Sequence, residues 1–498
     1  MKRISLIFFI CLQSFLTWSQ NSDTIDSLYR GSYKVYELQR LTNGMYRDSK
    51  LFSGNDYHPI SISNTGIGLI SLCIADAMEW ITNGEDLALI TLKSVTGHTP
   101  DFNPDRTQNG YFRHWLDPST GQQAWNSEYS TIDTDILMCG ALFCMKYFHN
   151  DSISFYVYEL WNSIDFEAAI MDETTGQIYL TINEDGTGVP GSLTSPYNEY
   201  MIVAWLAKNS TDDPGSISHI LWNSFYNSPE SLPKATYNDI NILSDGYSWF
   251  VSSFVHQFNY YLCNHFTTSP AYLEYFKYAQ MGDSAWWNTV GNYEFEWGLG
   301  AGSAISDSYH ADAINNNPDT IFSPHIIAGY LPVNLNGKND LIKIWNMGHG
   351  KYTLPTGAYN QILGRYSLTD TNWIPNEVQG IDYSTMLFGL STLPEYLGSD
   401  FFSSYNDFFP MPLAFNKLNK EIMVNAYPNP FTNSVKLEFD KVYKNILIRV
   451  YDTDGRLVVS KELVNSKTTI LELTGYTGIF ILNITYDLQT TTTKLCKL

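Results

Sequence analysis

Residues 131–148, TIDTDILMCGALFCMKYF, are apolar nearly all round once the first turn is passed. A helix without a polar face cannot lie on a surface, because other elements must cover it on most sides. The segment therefore predicts a helix surrounded by further helices. A second run, 65–82, places Ile67, Ile70, Ile74, Ala77, Met78 and Ile81 at helical spacing. Residues 198–208, 247–266, 271–280 and 380–393 also read as helices. The loops between them, such as PDFNPDRTQNG and NEDGTGVPGS, are rich in Gly, Pro, Asn and Asp. Loops of this length are uncommon in compact domains unless they serve a function. Their expected place is one end of a helical barrel.

The two ends of the chain differ from this middle. Lys2 and Arg3 precede a short apolar stretch, Ile4 to Leu16, and then polar Ser19-Gln20-Asn21-Ser22. The apolar stretch is too short to span a membrane well, so residues 1–20 read as a cleaved signal peptide. No later stretch of about 18 apolar residues follows, and no transmembrane segment is expected in the mature chain. Residues 21–410 then form the helical domain and 411–424 a linker. Residues 425–498 read as short alternating strands: VKLEF, ILIRVYD, LVVSKEL, TTILEL, GIFILNITYD and TTTKLCKL. DTDG at 452–455 reads as a hairpin turn, since the Glu that a calcium loop requires is absent.

The formal net charge is −22. Such a surface repels phosphate backbones, and no basic stripe offsets it, so nucleic acid is not an expected partner. The same charge disfavours a polyanionic glycan, and with it a lyase on a helical barrel. Aromatics make up 15 % of the chain, with 35 Tyr, 27 Phe and 13 Trp. They either fill a large core or line a groove, where a flat ring packs on the C–H face of a sugar. Beyond Cys11, Cys73, Cys139, Cys144, Cys263 and Cys496 show no metal spacing and read as free, mostly buried thiols, with one disulfide left open in an exported protein.

There is no HExxH, GxSxG, GxxxxGK[ST] or dinucleotide fingerprint. Breaking a glycosidic bond needs none of these and no metal or other cofactor. It needs two carboxyl groups on opposite sides of the bond, one to protonate the leaving oxygen and one to activate water or attack. Three acid-bearing stretches lie where loops enter helices. In Trp125-Asn126-Ser127-Glu128-Tyr129-Ser130-Thr131-Ile132-Asp133-Thr134-Asp135, the acids either cap the helix, alongside Ser130 and Thr131, or face a ligand. Glu199 in Tyr197-Asn198-Glu199-Tyr200 is either an ordinary helix-start acid or a desolvated general acid. Asp382 in Gly380-Ile381-Asp382-Tyr383-Ser384 is either an N-cap or a base.

Around these stretches the sequence resembles the glucoamylase-like domain family of bacterial glycoside hydrolases, which includes endo-β-1,2-glucanases. The resemblance runs in order through NGMYRD (43–48), NTGIGLISLCIADAMEWI (64–81), YFRHWLDPSTGQQAWNSEYSTIDTDILMCGALF (111–143) and YNEYMIVAWLA (197–207). It continues through FVHQF (254–258), WGLGAGS (297–303), TIFSPHIIAGYLPV (320–333) and GIDYS (380–384). It implies an (α/α)6 barrel, with Glu199 as the acid and Asp382 as the base of an inverting hydrolysis. Arg47, Trp125, Glu128, Asp133, Tyr197, Gln257 and Trp297 would form the sugar-binding positions. Three departures from the family pattern point to a different glycan, a different site size or lost activity: Asn264-His265-Phe266 where relatives carry Asp-Phe-Arg, Ser303 after WGLGAG where relatives often carry an acid, and Tyr383 in place of Gln.

AYPNPFTNSVKLEF, VYDTDGRLV, TGYTGIFILNI and TTTKLCKL resemble the C-terminal sorting domain of the Bacteroidetes type IX secretion system. The expected tail is a small all-β sandwich that hands the protein to that machinery, for release or for display at the cell surface. The expected activity is hydrolysis of a neutral oligo- or polysaccharide, possibly β-1,2-linked. The alternative is a non-catalytic surface glycan-binding protein on the same barrel.

Overall fold

Six helices that are buried on nearly all sides close into a ring. The computed structural model describes residues 23–409, 424–453, 456–473, 477–486 and 489–498. The expected signal peptide and most of the expected linker lie outside the described residues. Contacts divide the chain into two units, 1–410 and 411–498, each described by itself.

The described helices of the first unit are α1 (23–39), α2 (Ile62–Ala77), α3 (Gly84–Val95), α4 (Thr131–Phe148), α5 (Asp151–Asn162), α6 (Met201–Asn209) and α7 (Ile217–Leu221). They continue with α8 (Ser253–Leu262), α9 (Asn264–Thr268), α10 (Pro270–Val290), α11 (Pro324–Gly329), α12 (Gly337–Met347), α13 (Gly380–Ser391) and α14 (Phe401–Tyr405). The inner ring runs α2, α4, α6, α8, α11, α13 and back to α2, and α3, α5, α7, α10 and α12 pack outside it. This alternation of inner and outer helices is the (α/α)6 barrel. The all-apolar α4 sits in the inner ring, which is why it has no polar face. Among the described residues no helix is long and apolar enough to cross a membrane.

Inner helices approach closely where glycine removes the side chain. A Cβ on Gly140 of α4 would strike the backbone of Gly66 on α2, and one on Gly389 of α13 would strike the carbonyl of Ala328 on α11. The ring closes between the last inner helix and the first. Gly380 has no room for a side chain beside the Asn64 amide. Its N–H donates to the Asp48 carbonyl at 2.9 Å, and its carbonyl accepts from the Tyr36 hydroxyl at 2.6 Å.

Short antiparallel ribbons stitch the rim at the starts of these helices. Ser49–Leu51 pairs with Glu377–Gln379, just before α13. Ile60–Ser61 pairs with Trp115–Leu116, just before α2. Tyr129–Ser130 pairs with Thr181–Ile182, just before α4. Ser61 and Ser130 then cap their helices by accepting from the N–H of Asn64 and Asp133. The capping role that the sequence left open among Ser130, Thr131 and Asp133 falls to Ser130, so the Asp133 carboxylate is not spent on it.

The second unit is one antiparallel sheet of five described strands. Two pairs of strands read separately from the sequence are continuous: VKLEF and all but the last residue of ILIRVYD lie in Ser434–Tyr451, and LVVSKEL and all but the last residue of TTILEL in Leu457–Glu472. A register shift between Glu438 and Tyr443 carries the first of these through its polar middle. Before the shift Val435, Leu437 and Phe439 are buried; after it Ile446, Ile448 and Val450 are. The change from odd to even positions is what an irregularity in register does, and it keeps both halves of the strand on one core. The five thiols past Cys11 are free, and Cys73, Cys139, Cys144 and Cys263 are buried.

The glycine contacts generate a stability test. Gly140→Ala and Gly389→Ala each force a methyl group into a neighbouring backbone, at an expected cost of about 1–3 kcal/mol. Thermal unfolding should show a lowered midpoint for both, and an unchanged midpoint would mean that these helices separate freely.

Candidate active site

The rim ribbons bring carboxylates from distant parts of the chain to one end of the barrel. Glu199 lies in the turn that leads into α6, two residues before its first residue rather than in its first turn as expected, and its carbonyl accepts from the Ile202 N–H at 3.0 Å. Burial pushes its carboxyl up to about 7; its own backbone N–H opposes this, while the charges of Asp245 and Asp133 add to it. Asp382 occupies the first turn of α13, where it does not cap the helix, because the cap position belongs to Gln379. Burial also pushes Asp382 up to about 7, against a hydrogen bond from Tyr309 and the charge of Arg365, and with a further rise from Asp48. The Tyr309 hydroxyl donates to Asp382 Oδ1 at 2.9 Å. Among the described residues Asp382 Oδ2 has no hydrogen-bond partner.

Between these two acids runs a polar chain centred on His114. Its Nδ1 lies 3.0 Å from Glu128 Oε1 and its Nε2 3.7 Å from Asp133 Oδ1. Burial pulls the imidazole pKa down, but Asp133 and Glu128, with a smaller share from Asp48, outweigh burial and raise it to about 9. The ring is therefore a cation at neutral pH. Asp48 acts on both His114 and Asp382, and it accepts a hydrogen bond from Trp115 Nε1 at 3.2 Å. Asp133 in turn acts on both His114 and Glu199. Glu199, Asp133, His114, Asp48 and Asp382 are thus linked in sequence by their fields. His114, Glu128 and Asp133 are also close enough to share a metal ion. Without such an ion, the proton on His114 balances part of their charge.

Aromatic rings flank this chain. Trp115 stacks on His114 at 3.9 Å, Trp125 meets Trp115 edge-on at 5.0 Å, and Tyr57 stacks on His58 at 4.3 Å. Trp125 is 52 % exposed and has φ +48°, an unfavourable conformation for a bulky residue. A cleft of about 680 Å³ lined by Tyr57, Phe52, Ser303, Tyr352 and Glu377 adjoins a narrower pocket. That pocket shares several of these residues and reaches Asp382, Arg365 and His325. Arg365 is buried and paired with Asp312.

The expected site residues separate into two groups. Glu128, Asp133 and Trp125 stand with His114 and Trp115. Arg47 lies on the same rim, with its guanidinium donating to the His58 carbonyl. Three others are buried. Tyr197 is buried with its hydroxyl bonded to His256 Nδ1 at 2.9 Å. Gln257 is buried between α8 and α11, its amide donating to the Ile326 carbonyl at 2.9 Å. Trp297 is buried, and its Nε1 donates to Asp340 of the outer helix α12 at 3.2 Å. Asp135 is fully buried, and neither of its carboxylate oxygens has a partner among the described residues. Sequence reasoning missed Asp48, His114 and Tyr309. Asp48 and His114 were within reach, since both lie inside the stretches NGMYRD and YFRHWLD. Nothing in the loop around Tyr309 distinguishes it in sequence.

The departures from the family pattern also separate. Asn264 follows the last turn of α8 and donates to Asn406 Oδ1 at 3.1 Å, so it belongs to the helix ends opposite the acids. Ser303 and Tyr383 both line the pocket at Asp382, and Ser303 Oγ accepts from Gln379 Nε2 at 2.7 Å.

With this geometry in hand, the chain can be compared with known proteins. No curated protein matches it in sequence. An endo-β-1,2-glucanase from Chitinophaga pinensis, solved with sophorotriose and glucose, superposes with a TM-score of 0.63 at 16 % identity, over 77 % of this chain and 94 % of that one. A β-1,2-glucanase from Parabacteroides distasonis gives 0.64 at 18 % identity, over 79 % of this chain and 58 % of that one. An endo-β-1,2-glucanase from Talaromyces funiculosus, solved with sophorose, gives 0.56 at 12 % identity, over 77 % and 85 %. The barrel thus shares its fold with these glucanases, and residues 425–497 match the family described as the secretion system C-terminal sorting domain.

Proposed function

We propose that this chain is an exported glycoside hydrolase that cleaves a neutral glucan, with β-1,2-linked glucan as the first candidate, by acid–base hydrolysis with inversion. The observation that carries the reading is the pair Glu199 and Asp382. Both are carboxyls at the starts of inner helices, both are pushed into the neutral range by burial, and an unbroken chain of interacting charges joins them. Glu199, protonated, gives its proton to the glycosidic oxygen as the bond to the anomeric carbon breaks. Asp382, ionised, takes a proton from a water molecule whose oxygen bonds to that carbon on the opposite face. An Oδ2 without a hydrogen-bond partner among the described residues suits Asp382 to accept this proton. Tyr309 holds the other oxygen and so fixes the direction in which the free one points.

The remaining residues suit a sugar. The His114 cation with Glu128 and Asp133 offers both donors and acceptors to hydroxyl groups, and the exposed face of Trp125 suits a pyranose. The fold shared with the three glucanases supports this substrate class, and the −22 charge favours a neutral chain over an acidic one. The tail match supports export, which we assign to type IX secretion with release or surface display as its end. The departure at Asn264 lies away from the acids and gives no support to a purely glycan-binding role.

Two tests follow. Incubation with linkage-defined glucans should release new reducing ends from a β-linked neutral glucan. Glu199→Gln and Asp382→Asn should each lower the rate by about 10²–10⁴-fold. Tight binding with no cleavage by the wild type would overturn the enzyme assignment. The second test is the pH profile of kcat/KM. Glu199 must keep its proton, so activity falls as pH rises through its pKa; Asp382 must lose its proton, so activity falls as pH drops through its own. Both values lie near 7, and the expected profile is a narrow bell centred close to neutrality. A plateau extending well below pH 5 would contradict the role given to Asp382.

A further inference from the structure

The aromatic run Tyr247-Ser248-Trp249-Phe250 reads as the start of a helix, yet α8 begins only at Ser253. Residues 245–250 form a loop instead, and this loop lies beside Glu199. The Ser244 carbonyl accepts from the Tyr197 N–H at 3.1 Å, two residues before the acid. Asp245 is one of the two carboxylates whose charge acts on Glu199.

Within the loop Trp249 is held at several points. Its Nε1 donates to Asp245 Oδ1 at 2.6 Å, and its carbonyl accepts from Ser244 Oγ at 2.8 Å. A Cβ on Gly246 would fall into the six-membered ring of the indole, so the ring lies across the bare glycine backbone. Trp249 is nevertheless 56 % exposed, and the neighbouring Tyr247 is 79 % exposed. A single exposed aromatic residue needs no explanation. An exposed indole that is tethered through its N–H and backed by glycine is different, because the freedom it would lose on binding has already been given up.

We propose that Trp249, seated on Gly246 and tethered to Asp245, is the floor of an outer sugar-binding subsite on the acid's flank of the cleft, taking a neutral pyranose of a longer glycan chain. The open indole face packs against the C–H face of the ring, while the Asp245 carboxylate accepts from a hydroxyl at its edge. The inference rests on the hydrolase reading and adds to it a preference for chain length.

The test uses the full chain with Trp249→Ala and Trp249→Phe, and a ladder of oligosaccharides of the cleaved linkage. The loss of kcat/KM in Trp249→Ala should grow with chain length, reaching about tenfold or more on the longest member. Trp249→Phe should recover part of it, and both variants should keep the wild-type thermal midpoint. An equal loss at every length, or no loss at any, overturns the subsite. Calorimetric binding in a Glu199→Gln background separates this outcome from failure of the hydrolase reading. If the wild type binds long oligosaccharides without cleaving them, the hydrolase reading falls, and weaker binding by Trp249→Ala still upholds the subsite. If the wild type binds none of them, both fall.

Discussion

The join between the last inner helix and the first is the constraint on which the rest of the barrel depends. Gly380 can sit against Asn64 only because it lacks a side chain, and its two backbone groups bond to Asp48 and Tyr36. The ribbon of Ser49–Leu51 with Glu377–Gln379 fixes the register of that meeting across more than three hundred residues. Without it α13 would not present Asp382 to the same rim as α4 and α6. The strands are only two or three residues long, so their own hydrogen bonds contribute little. Their effect is to aim the helix starts.

Placing acids at helix starts is electrostatically favourable, because the unpaired N–H groups there carry partial positive charge. Crowding several of them in a half-buried mouth works in the opposite direction. Burial and mutual repulsion raise Glu199 and Asp382, while the His114 cation lets Glu128 stay ionised below its usual range. Burial thus lifts two of these carboxyls into the neutral range, while the hydrogen bond from His114 keeps a third below its usual one.

The inner helices were legible because burial on all sides leaves an apolar sequence, as in α2 and α4. The outer α12 was harder to read because it is amphipathic and short, and so was the inner α11, only six residues long and beginning at a proline. The acids were legible because they stand at loop–helix junctions. Other residues expected at the site are aromatic and amide side chains that the structure buries. Tyr197, Gln257 and Trp297 look like sugar contacts in sequence, but each fills a buried position and satisfies a core hydrogen bond. Asp48 and His114 lie in stretches that carry the resemblance, but their relation to each other arises from pairing between segments far apart in the chain. The aromatic run at 247–250 was read as helix because its composition resembles the apolar face of one. In the fold, Asp245 captures the indole N–H instead.

The glycine-sealed ring also has a meaning in time. In the proposed reaction the proton donor comes from residue 199, and its counterpart does not arrive until residue 382 has been laid against α2. A chain still being made, or one clipped before α13, would own half of the chemistry and none of the turnover. Competence would thus arrive in one step with completion of the circle, so catalysis itself would serve as a readout of successful folding.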